Sequence, residues 1–140
     1  MRKLLPLLLA LLMLACNRTE RNSASDPTYA MLERVAELNA GGDKPGALAL
    51  ADSALLMHPA DTTRCWLLSE KAVTLVDMGR MADAVGVAQG AYRLAEKLHD
   101  VDAMLNLRGT MGIAYRRLGK TDSALVQYKE GIQMALAEHN

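Results

Sequence analysis

An all-α fold built as a tandem of helix-turn-helix units is what this sequence predicts, and three observations carry the expectation. The apolar content, 51% of 140 residues, is mostly Ala, Leu, Val and Met, with no Phe, one Trp and four Tyr. Such a composition favours helices that approach one another closely. Apolar residues recur at spacings of three and four, the period of a helix face. Small residues and a turn glycine return at matching places along the chain. The stretch Leu105 to Glu138 displays them best: Gly112 and Tyr115 are three apart, Gly119 marks a turn, and Ala124 and Tyr128 are four apart. The length leaves room for one domain of modest core or a short array of repeats.

Taken in order, residues 1–16 carry two cations and then an apolar run of about eleven residues, shorter than a bilayer span and matched to a secretory leader. Residues 17–26 are polar without an apolar period and are expected to form a flexible tether. Asp26-Pro27 is a helix start, an N-cap acceptor followed by a residue that needs no N–H there. That helix should run to about Ala40, with Met31, Val35 and Leu38 inward, and end at Gly41-Gly42. Asp43 then caps a second helix with Ala47, Leu48, Ala51, Ala54 and Leu55 inside, stopped by Pro59. Thr62 or Thr63 is the expected cap of a third helix, about Arg64 to Met78. Gly79 turns the chain into a fourth, about Met81 to His99, bearing Ala84, Ala88 and Ala91. Asp100 and Asp102 open the fifth, which leads through Gly119 into the sixth.

These residues resemble tetratricopeptide repeats, whose 34-residue signature runs W-x2-L-G-x2-Y, then A-x3-F, then P. On that frame three copies are in phase, at about 28–61, 65–98 and 105–138, so the mature chain as a whole is similar to an α-solenoid. Position 8 is Val35, Ala72 and Gly112, and position 20 is Ala47, Ala84 and Ala124. Small residues are needed where neighbouring helices cross. The starts lie farther apart than 34, which implies longer second helices or loops. Arg34 and Lys71 replace an apolar position 7, so the first two repeats are expected to be less tightly filled. The leader resembles a bacterial lipobox: Met13-Leu14-Ala15-Cys16, with Met13 in place of the usual Leu. The resemblance implies that Cys16 is lipidated and becomes the first residue of a protein anchored in the cell envelope, in the outer membrane or on its periplasmic face.

In tetratricopeptide proteins the first helices of successive repeats line a concave groove through positions 2, 5, 9, 12 and 13. The resemblance therefore implies a groove of Tyr29, Leu32, Ala36, Asn39 and Ala40, then Trp66, Ser69, Val73, Val76 and Asp77, then Asn106, Gly109, Ile113, Arg116 and Arg117, apolar at first and basic at its C-terminal end. Trp66 is either a peptide anchor or packing between repeats. Arg116 and Arg117 are either a solvated pair or a carboxylate site. The lysine and asparagine clamp of chaperone-binding relatives is absent, since Leu32 and Ala36 stand there.

Other chemistry has little support. Removing Arg2 and Lys3 with the leader leaves 14 basic against 16 acidic residues without a basic stripe, which disfavours nucleic acid. With Cys16 acylated, Cys65 has no disulfide partner, and a packed thiol is the expectation there. No histidine has a second ligand at helical spacing, so neither a metal nor a cofactor is expected. No catalytic pair, phosphate loop or CxxC appears, and an enzyme is not expected. The expectation is a membrane-tethered scaffold for a protein or peptide partner, with self-association possible at the last repeat. The alternative is a sensor segment of a longer signalling protein, with a kinase or transcriptional-regulator output lying beyond Asn140.

Overall fold

The computed structural model describes residues 26–139. Cys16 and all but the last residue of the expected tether lie outside the described residues. Six helices follow one another: α1 Pro27–Ala40, α2 Lys44–Leu56, α3 Asp61–Asp77, α4 Met81–Leu98, α5 Val101–Arg117 and α6 Thr121–Glu138. None of them is long and apolar enough to cross a membrane.

Their ends follow from local chemistry. Asp26, Asp43 and Asp100 are N-caps whose carboxylates accept from the backbone N–H of Thr28, Gly46 and Ala103, satisfying donors that a first turn leaves free. Each turn inside a repeat closes on a glycine at positive φ, Gly42, Gly79 and Gly119 at 86°, 80° and 75°. The next residue donates back to the carbonyl five residues before it: Asp43 N to Leu38 O, Arg80 N to Leu75 O and Lys120 N to Tyr115 O, the left-handed cap that glycine forms most readily.

Two expectations are corrected. α3 begins at Asp61 with Ala60 at its cap and no side-chain cap. Thr62 and Thr63 already lie inside the helix, and Thr63 is buried, because Pro59 ends the preceding loop sooner than the threonines suggest. The residues beyond the 34-residue period do not go only into second helices and loops. α3 and α5 begin about one turn before Cys65 and Leu105 and are 17 residues long, against 14 for α1.

Packing is between neighbours. α1 pairs with α2, α3 with α4 and α5 with α6; α2 meets α3 and α4 meets α5; and α1 with α3 and α3 with α5 also touch, whereas the backbones of α2, α4 and α6 stay apart, with Tyr92 Oη of α4 reaching Met134 Sδ of α6 at 3.8 Å. The odd helices therefore crowd together on the inner side of a curve and the even helices splay on the outer side, as in stacked repeats. The interior is made of small side chains at the phased positions: Val35, Ala47, Ala51, Ala54, Ala72, Ala84, Ala88 and Ala91 are fully buried. In the last repeat, a Cβ placed on Gly112 would come within 2.7 Å of Tyr128 Cζ. The expected close approach of α5 and α6 is thus made between Gly112 and the tyrosine ring, with Ala124 buried nearby and Tyr115 half-buried.

Candidate partner-binding groove

The inner face is carried by α1, α3 and α5, and helical periodicity decides which of their side chains reach solvent. On α5 the open stripe is Asp102, Asn106, Gly109, Ile113 and Arg116, with Ile113 36% exposed. On α3 it is Trp66, Glu70, Val73 and Asp77. On α1, Tyr29 is 40% exposed and Leu32 and Ala36 are half-buried. Apolar surface thus runs from Tyr29 through Trp66 and Val73 to Ile113 in separate patches.

Several expected groove residues are spent on holding the helices together. Ser69 is only 2% exposed and donates through Oγ to Cys65 O at 2.9 Å. It is interior, as is Val76, because the stripe on α3 is rotated by one residue from the position mapped onto it. Glu70 takes the place of Ser69. Asn39 is bound on both sides: its Nδ2 donates to Glu70 Oε2 at 2.8 Å, and its Oδ1 accepts from Thr74 Oγ1 at 2.8 Å. It joins α1 to α3 and has little left for a ligand. Asp77 pairs with Lys44 at 2.9 Å, and that ammonium also donates to Asn39 O.

Arg116 and Arg117 divide. Both are exposed, but Arg117 Nη1 donates to Val76 O at 3.3 Å. It thereby caps the C-terminal carbonyls of α3 from α5, where a cation is favoured. The basic end of the groove therefore rests chiefly on Arg116. Trp66 packs its ring against the cluster of Cys65, Ala91, Leu107 and their neighbours, and its Nε1–H donates to Asp100 Oδ2 at 3.1 Å. Asp100 Oδ1 meanwhile caps α5. One carboxylate thus ties the start of α5 to α3, and what Trp66 offers to the groove is the uncovered part of its ring.

The missed residue, Glu70, had a signal: it is four after Trp66 and three before Val73, on one helical stripe. Cys65 is fully buried and donates weakly to Ala91 O. Burial, with the Asp100 carboxylate adding to it, pushes its thiol from 9.0 up to about 11, so it stays protonated and inert near neutral pH.

Comparisons with curated proteins and with solved structures returned no match. The family model described as tetratricopeptide repeat matches residues 63–137, which are α3 to α6. That match spans more than half of the chain and falls on the helix pairs whose phase and packing have just been described. The protein belongs to the tetratricopeptide repeat family, whose helical arrays serve as protein-interaction scaffolds and are generally non-catalytic.

Proposed function

We propose that the chain is a membrane-tethered scaffold that holds an extended peptide or a partner helix along its inner face, with the lipid on Cys16 as the anchor. The observation that carries the groove reading is the open stripe of α5, Asn106, Gly109, Ile113 and Arg116, facing the same side as Trp66 and Val73. Half-exposed apolar side chains next to a free arginine suit an amphipathic or C-terminally acidic segment. The sequence of residues 1–16 supports the anchor.

Partners recovered from detergent-solubilised membranes provide the test. Binding of a recovered segment should change Trp66 fluorescence and weaken at least about tenfold in Ile113→Glu. This substitution leaves the packing between repeats intact, which Trp66→Ala would not. Unchanged affinity in Ile113→Glu and Val73→Glu rejects the groove. For the anchor, Cys16→Ser should release the protein from the membrane fraction, and retention rejects lipidation as the tether. Self-association is proposed at α6, where Ile132 and Leu136 are 61% and 60% exposed. Ile132→Glu should then lower the mass measured by light scattering, and a monomer in the parent protein would end that reading.

A further inference from the structure

The two outer sides of the helix array differ in chemistry. Within the array, the first helix of each repeat covers the side of the repeat before it, so the phased copies show which positions are buried by such a contact. On α1, Ala30 and Glu37 stand where Leu67 and Thr74 stand on α3. Leu67 and Thr74 are fully buried, whereas Ala30 and Glu37 are exposed, and Glu37 pairs with the exposed Arg34 at 2.8 Å. The α1 side is therefore polar. On α6 the pattern reverses. Leu125 and Ile132 stand where Val85 and Tyr92 stand on α4. Val85 packs into the cluster that holds Ala114 of α5, and the Tyr92 ring lies under Arg108 of α5. Leu125 is 59% exposed, and Ile132 and Leu136 are as open.

We propose that the α6 face is covered by the α6 face of a second copy, antiparallel about a two-fold axis, and not by the α1 face. This rests on the self-association reading and adds the partner surface and its direction. A two-fold contact is self-complementary: Leu125 of each copy meets Leu136 of the other, with Ile132 between them. Lys129, on the same stripe, lays its methylene stem along the facing Ile132 and keeps its ammonium in water. A head-to-tail contact would instead press Arg34 and Glu37 onto the apolar stripe and strip water from both charges.

Charge sets the direction. Arg116 and Lys120 lie beside the start of α6, are exposed and make no ion pair among the described residues. Antiparallel pairing brings to them the C-terminal end of the other α6, with Glu138 and the carbonyls that a last turn leaves free, where cations are favoured. Parallel pairing would set cations against cations. Three large apolar side chains from each copy make a small contact, so the expected Kd is weak, on the order of 10–100 µM.

The test is cross-linking of the detergent-solubilised full chain with a short bis-maleimide, beside its mass by light scattering. Cys65 is buried, and the parent chain serves as the blank for Cys16. Lys129→Cys should cross-link to itself well above Ala49→Cys, which sets the collisional background. Asp122→Cys and His139→Cys lie about 25 Å apart along α6; each should stay silent alone and cross-link when the two are mixed. All four positions are exposed, so the fold is kept. Ile132→Glu should weaken the dimer at least about tenfold. A monomer at millimolar concentration overturns the proposal together with the self-association reading, leaving α6 to a different protein. A dimer in which Asp122→Cys cross-links to itself, Lys129→Cys cross-links only to Arg34→Cys, or no α6 cysteine cross-links overturns this proposal alone.

Discussion

The two junctions between repeats solve one packing problem with different residues. At the second, α4 meets α5 and α6 through Leu107, Met111, Tyr115 and Tyr92, and Arg108 lies 4.6 Å from the centre of the Tyr92 ring. Arg108 also pairs with Glu130 and donates to Gln127 Oε1 at 3.0 Å. At the first, a cleft lies between α2 and α4, and Lys71 pairs with Asp52 at 2.6 Å in its lining. The difference teaches that register is kept by the buried alanines, common to both junctions, while the larger residues around them decide whether the array is sealed or open. A charged pair that is half in water contributes little, whereas a filled aromatic junction contributes through buried area and ring geometry.

The comparison can be broken at its strong side. Leu107→Ala empties a fully buried site of the second junction and should lower stability by about 2–5 kcal/mol in urea unfolding. A loss no greater than that of an exposed substitution would show that this junction does not carry the array. Gly112→Leu should cost about 1–3 kcal/mol by forcing Tyr128 away from α5, and an unchanged thermal midpoint would contradict the close approach.

Alkaline pH probes the same core through Cys65. Its thiol is raised in the folded chain, so its contribution is fully present below pH 9.0 and is lost as pH rises through about 11. Stability should fall over that window, and Cys65→Ala should flatten the part of the fall that belongs to the thiol. The smallest effect sharpens the weak side. Lys71→Met imitates Met111, removes only a partly exposed ion pair, and should leave stability equal or raise it by up to about 1 kcal/mol; a clear loss would mean that the pair holds the first junction.

Much of the helix order was legible from short-range chemistry. Asp26-Pro27, Asp43, Gly79 and Gly119 act through their own neighbours, and their structural roles match the expectation. Residues whose use depends on a distant helix were not legible. The commitment of Asn39 to Glu70 and Thr74, of Arg117 to Val76, and of Trp66 to Asp100 links positions 31 to 41 apart in sequence. The groove positions implied by the resemblance likewise fell on Ser69 rather than Glu70, because a rotation of one residue about a helix axis leaves the apolar period almost unchanged.

By itself, then, the sequence determined the all-α class, the phase of the three repeats and the places where only small side chains fit, since these depend on helical period, caps and the contact of near neighbours. Only the tertiary structure decided which polar groups of the inner face remain free and that one outer junction is filled while the other is open. Hydrogen bonds and ring packing between helices far apart in sequence settle those outcomes, and no local pattern encodes them.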